Sequence, residues 1–141
     1  MAKTMISAAA AAAMLVSASP ALAQPPENLA AAQLEWREMF SGVEFAPAYG
    51  DWEKQTHGKY VRFVPAAKVP MHMHSNPYHG VMISGRMANL YDGGKRVEID
   101  PGDYWYVAGA RPHGHECLSS EPCFFYTYGD SLWDIELVEA E

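Results

Sequence analysis

Six histidines hold most of the chemistry this chain could do: His57, His72, His74, His79, His113 and His115. Along a β-strand, side chains alternate between two faces, so His72 and His74 point the same way. Two imidazoles on one face, one residue apart, can reach a single metal ion. His79 follows a Ser75-Asn76-Pro77 turn signal and can return on the neighbouring strand. His113 and His115 repeat the H-x-H spacing after another turn. Neutral imidazole binds Zn, Fe, Cu and Ni. One H-x-H pair arises by chance often enough. Two pairs with a further His inside a β pattern point to a metal centre with His72, His74, His79 and His113 as ligands. His115 stands as ligand, as a hydrogen-bond donor behind a ligand, or as a bystander. His57, in Gln55-Thr56-His57-Gly58, reads as a surface residue at a hairpin tip.

Other side chains could line such a centre. Tyr104 and Tyr106 share a face, as do Tyr126 and Tyr128. One phenol among Tyr60, Tyr78, Tyr91, Tyr104, Tyr106, Tyr126 and Tyr128, all in or beside strands, could serve as proton donor or substrate clamp. Arg111 adjoins Pro112-His113 and is a candidate partner for a substrate carboxylate. Met71, Met73, Met82 and Met87 flank the histidines. Thioethers suit copper, but Met71 and Met73 alternate away from His72 and His74, which favours packing. No G-x-S-x-G, phosphate-binding loop, G-x-G-x-x-G or C-x-x-C occurs.

The elements that must position these groups are mostly strands. From Val43 onward, segments rich in Val, Ile, Phe, Tyr and Trp are split by turn residues. Expected strands are Val43–Ala48, Lys59–Val64, Val69–His74, His79–Ser84, Met87–Tyr91, Arg96–Ile99, Tyr104–Val107, His113–Cys117, Cys123–Tyr128 and Trp133–Val138. Asp92-Gly93-Gly94-Lys95 and Pro101-Gly102-Asp103 are turn signals. Many short antiparallel strands predict a sandwich or barrel, the jelly roll included. One helix is expected, Glu27–Phe40, opened by Pro25-Pro26 and closed by Ser41-Gly42.

The chain has 141 residues, room for one domain. Its net charge is -7, and no Lys/Arg cluster is visible, which argues against a nucleic-acid or anionic-membrane surface. Residues 1–23 read as a cleaved signal peptide: Lys3, the apolar run Met5–Val16, then Ala21-Leu22-Ala23 as an A-x-A site. The run has 12 residues, too few to span a bilayer, which takes about 20. The mature chain is then exported, periplasmic or secreted, with no membrane anchor. Without Lys3 it carries 9 basic and 17 acidic side chains, a net charge of -8. In an oxidising compartment, Cys117 and Cys123 suggest a disulfide across a short turn. Free thiols, or Cys117 as a thiolate ligand, are the competing readings.

Across residues 59–128 the chain resembles the cupin superfamily. The first cupin motif is G-x5-H-x-H-x3,4-E-x6-G. Here Ala66 takes the first Gly position, His72 and His74 match, His79 stands where the family has Glu, and Gly85 closes one residue early. The second motif is G-x5-P-x-G-x2-H-x3-N. Gly102 and His113 match, Ala108 replaces Pro, Ala110 replaces Gly, and Cys117 takes the Asn position. The resemblance implies an all-β, single-domain jelly-roll barrel over residues 43–141, preceded by the helical segment at 24–42. It implies a divalent transition metal (Fe, Mn, Ni or Zn), a small-molecule ligand, and pairing as a homodimer.

The all-histidine set matters chemically. Three His and one Glu leave a divalent ion a net +1, whereas neutral imidazoles alone leave +2. Such a centre favours an anionic, chelating substrate. Dioxygenase, isomerase and lyase chemistry all fit. A non-catalytic module that binds or senses a metal or small ligand is the alternative.

Overall fold

The computed structural model describes residues 25–138. The expected signal peptide at 1–23 lies outside them. Eleven strands run in chain order: β1 Arg37–Phe40, β2 Val43–Gly50, β3 His57–Phe63, β4 Lys68–Met73, β5 Tyr78–Ser84, β6 Met87–Tyr91, β7 Arg96–Ile99, β8 Tyr104–Val107, β9 His113–Cys117, β10 Cys123–Gly129 and β11 Glu136–Leu137. Every pairing is antiparallel. They form two sheets, β1-β2-β3-β10-β5-β8 and β11-β4-β9-β6-β7. The expected barrel is not closed among the described residues: the two sheets keep separate hydrogen-bond ladders and pack as a sandwich. No helix among the described residues is long and apolar enough to cross a membrane.

The expected helix at Glu27–Phe40 is not formed. A single turn of 3-10 helix spans Ala31–Gln33, and Arg37–Phe40 is strand β1. Strand β1 pairs with β2, setting Arg37 against Phe45 and Phe40 against Val43. An isolated helix of this length is marginal in water. Pairing with a sheet edge supplies ladder hydrogen bonds and lets Met39 and Phe40 pack against the core. Gly42, read as a helix stop, has φ +73° and makes the β1–β2 turn instead. The same left-handed preference serves both uses.

Alternation along each strand builds the interior. Strand β3 turns Val61 and Phe63 inward, β8 turns Trp105 and Val107 inward, and β5 turns Tyr78 and Met82 inward. Met82 and Met87 are core residues, as expected, while Met71 and Met73 are only half-buried. Burial of each large side chain in this set is worth about 1.5–3 kcal/mol.

Four positions that align with the glycines of the two motifs share one backbone trait. Gly85 and Gly102 have φ of +80° and +93°, and Ala66 and Ala110 have φ of +63° and +58°. Two of these left-handed turns thus carry alanine where the motif has glycine. At Ala110 the turn is tied to the histidine region, since its amide donates to the His74 carbonyl at 2.8 Å.

Cys117 and Cys123 are disulfide-bonded, with Cα atoms 5.8 Å apart, and no cysteine is free. The thiolate-ligand reading of Cys117 is thereby removed. Cys117 ends β9 in one sheet and Cys123 opens β10 in the other, so the bond staples the sheets together.

Two outcomes are expected in denaturant melts. Replacing both cysteines by serine lowers stability by about 2–2.5 kcal/mol, the chain-entropy value for so short a loop. Ala66→Gly raises it by about 0.5 kcal/mol, because the left-handed cost relieved exceeds the entropy that glycine adds to the unfolded chain.

Candidate metal centre

Strands β4 and β9 carry the centre. In their ladder, Val69 faces His115 and His72 faces His113, so three steps on β4 match two on β9. This bulge re-phases β4. It turns both Val69 and His72 inward, and His74 follows just past the strand end. On β9, His113, His115 and Cys117 point inward, while Glu116 points out to ion pairs with Lys68 and Arg96.

His72, His74 and His113 are buried, at 2%, 3% and 0% exposure. Each offers one ligand atom, and these atoms lie within 4.8 Å of one another. The Nδ1–H of His72 donates to the Pro70 carbonyl at 2.7 Å, and that of His113 to the Arg111 carbonyl at 2.8 Å. The Nδ1–H of His74 donates to the Asp134 carbonyl. A carbonyl only accepts, so all three rings carry their proton on Nδ1 and offer the Nε2 lone pair. Two nitrogens on one ion at about 2.1 Å stand no more than about 4.2 Å apart. Shifts of under about 1 Å per ring therefore bring the set onto one cation.

Burial keeps these rings neutral. It lowers the basicity of His72, and it takes His74 to about 3 and His113 to about 4, with the neighbouring histidines adding to the effect. Neutral imidazole is the form a metal needs. The donor set fits a divalent transition metal.

His115 is 7% exposed and does not join the set. Its Nδ1–H donates to Asn89 Oδ1 at 2.8 Å, and its Nε2 lies 3.0 Å from the Tyr78 hydroxyl. Tyr78 also lies 3.3 Å from His113 Nε2. Burial raises the Tyr78 phenol above its ordinary range, so it stays protonated and donates. Burial likewise holds His115 well below its usual value and neutral.

Three expected site residues lie elsewhere. On β5 the inward residue is Tyr78, so His79, one step on, faces outward. The His79 Nδ1 is 2.6 Å from the Tyr104 hydroxyl, and its ring lies 5.1 Å from that of Tyr106. Tyr104 and Tyr106 are 59% and 46% exposed, because β8 turns Trp105 and Val107 inward. The expected fourth ligand and both expected phenols thus share the outer face of the sandwich. Arg111 contributes its carbonyl to His113, while its guanidinium sits 4.3 Å over the Tyr91 ring.

His57 is a further correction. It is 1% exposed and opens β3 opposite Gly129, rather than capping a hairpin. The missing side chain of Gly129 makes room, since a Cβ there would stand 3.0 Å from His57 Cε1. The sequence reading also passed over Lys59, which is 1% exposed and lines a cavity of about 40 Å³ with His72, His74, Tyr78, Thr127 and Trp133. Burial takes its ammonium down to about 7. The signal was present: Lys59 is in phase with Val61 and Phe63 on β3. Trp133 roofs His74, ring to ring at 4.9 Å.

The acid limb of stability follows from the rings. The folded-state values of His72, His74 and His113 lie below the unfolded value near 6.5. As pH falls, the unfolded chain takes up protons first. The stability these rings confer is present above pH 6.5 and is lost as pH falls through about 4 to 3. Each ring steepens the loss by up to about 1.4 kcal/mol per pH unit. Metal-free protein should therefore melt progressively lower from pH 6.5 to pH 4, and His74→Phe should flatten that slope in a pH series of thermal melts.

Comparison with known proteins agrees with this architecture. The cupin domain family model matches residues 59–129, half of the chain. Nothing among curated proteins matches. The polyketide cyclase RemF from Streptomyces resistomycificus superposes with a TM-score of 0.70 at 15% identity, covering 82% of this chain and 87% of that one. A sugar phosphate isomerase of the cupin superfamily from Silicibacter pomeroyi gives 0.65 at 18% identity, covering 80% and 82%. KdgF from Halomonas sp. gives 0.62 at 16%, covering 72% and 92%. At these identities the likeness is one of fold. With the family model spanning both histidine segments and the sandwich that holds them, the chain belongs to the cupin family.

Proposed function

We propose that this chain is an exported mononuclear metal cupin that acts on a small anionic, chelating substrate. The observation that carries the reading is the commitment of three buried Nδ1–H groups to main-chain carbonyls, which leaves an Nε2 lone pair on each of three rings that each offer a ligand atom within 4.8 Å of the others. A divalent cation held there supplies Lewis acidity.

The protein's own groups account for the rest. Three neutral imidazoles leave the ion its full double charge. No Asp or Glu lines the adjoining cavity, and Lys59 does. Both features favour an anion. Phe125, Trp133 and Ile135 line the same cavity and give it a largely apolar wall. The Tyr78 hydroxyl, protonated and between His113 and His115, is the group placed to pass a proton. Neighbours of the fold include a cyclase and an isomerase, and oxygenase, isomerase and lyase reactions suit the centre. Export rests on the leader pattern at 1–23, and the Cys117–Cys123 disulfide supports an oxidising compartment.

A non-catalytic binding or sensing role is the second reading, favoured by the lack of any Asp or Glu among the residues that line the cavity shared by His72, His74 and Tyr78.

Elemental analysis of untagged protein should find one divalent transition metal per chain. His72→Ala, His74→Ala and His113→Ala should each lower metal affinity at least tenfold, while His79→Ala should keep it. Retention of metal by the triad variants would overturn the proposal. Turnover of any member of a panel of diketones, phenolics and organic acids separates enzyme from binding module.

A further inference from the structure

Strand β3 sends His57, Lys59, Val61 and Phe63 to the interior. An ammonium on that face is costly unless something answers its charge. Lys59 takes part in none of the ion pairs found among the described residues. Its Nζ lies 3.2 Å from His57 Nε2. That nitrogen is a lone pair, because His57 Nδ1–H donates to the Gln55 carbonyl at 3.0 Å. The Trp133 and Phe45 rings lie 4.7 Å and 5.2 Å from the same Nζ. An ammonium has three protons to give, and His57 is the one hydrogen-bond acceptor found for it among the described residues. Aromatic faces and a neutral imidazole favour a cation without neutralising it.

The space beside Lys59 is small and mostly apolar. It measures about 40 Å³ and is also lined by His72, His74, Tyr78 and Thr127. At roughly 10–15 Å³ per water, it holds about three waters or an anion of a few atoms.

We propose that Lys59 is the anion-binding residue of this cavity, receiving the carboxylate of a ligand the size of formate to oxalate. In a second step that rests on the metal reading above, the other end of an oxalate-sized ligand reaches the His72, His74 and His113 set. His57 is a positioning residue: its fixed tautomer holds the Lys59 amine against the cavity wall. The small volume limits the ligand to short carboxylates, and the chain's own carboxylates are kept out.

The chain has five lysines, Lys3, Lys54, Lys59, Lys68 and Lys95, so lysine-selective 13C labelling reads Lys59 directly. Its resonance is assigned by its loss in Lys59→Met. In metal-free wild-type protein, formate should shift the Lys59 Cε signal saturably and leave the other lysines in place. With zinc bound, oxalate should do the same at a lower concentration. Trp fluorescence, reporting through Trp133, should show formate binding weakened about tenfold or more in Lys59→Met, the loss of one charge-assisted bond. Zinc content should be unchanged in that variant. A Lys59 signal unmoved by both anions overturns the proposal, as does equal formate affinity in wild type and Lys59→Met. A formate shift in protein that takes up no zinc upholds the Lys59 site and overturns the metal reading alone. The wild-type spectra decide the question even where Lys59→Met fails to fold.

Discussion

A buried imidazole must satisfy two ring nitrogens with different needs, one protonated and one bare. In this protein three rings resolve the problem identically. Each gives its Nδ1–H to a main-chain carbonyl, of Pro70, Arg111 or Asp134. The acceptor lies two residues upstream for His72 and His113, so the strand that carries the ring also sets its tautomer. For His74 the acceptor comes from a segment sixty residues away. Three buried rings are left with bare Nε2 atoms, which is stable only if something electrophilic or protic meets them.

The backbone around these rings is built to make that arrangement. The β4 bulge lets Val69 and His72 face the same interior despite an odd spacing. The Ala110 turn, in the left-handed conformation, ties its amide to the His74 carbonyl and leads into His113. The disulfide closes the end of β9 onto β10, in the opposite sheet. Local strain at alanine positions and a covalent staple are thus both found near the strand that bears His113 and His115. The polar interior extends beyond the triad, through Tyr78 and Asn89 on one side and Lys59 and His57 on the other.

Much of this was legible in the residues. The strand pattern from Val43 onward follows alternation and turn chemistry, and nine strands lie within two residues of their expected bounds. The H-x-H pairs pointed to the right two strands. What alternation could not supply was which face of β5 looks inward. His79 looked like a returning ligand, but the adjacent Tyr78 takes the interior, and Gly80 and Met82 keep its phase. The helix at Glu27–Phe40 was misread because local propensity cannot see an open sheet edge waiting at β2. His57 was placed at a hairpin tip and Lys59 stood only as the start of a strand, whereas the phase of both with Val61 and Phe63 pointed to the core.

The tautomeric state of three rings is the claim on which the centre rests, and it can be observed without knowing metal or substrate. Long-range 1H–15N correlation spectra of histidine-labelled, metal-free protein at pH 7 distinguish Nδ1–H from Nε2–H directly. His72, His74 and His113 should all appear as the Nδ1–H form, with Nε2 shifts that move together on adding one equivalent of zinc. Protonation of these rings at Nε2, or Nε2 shifts indifferent to zinc, would contradict a metal centre built from them.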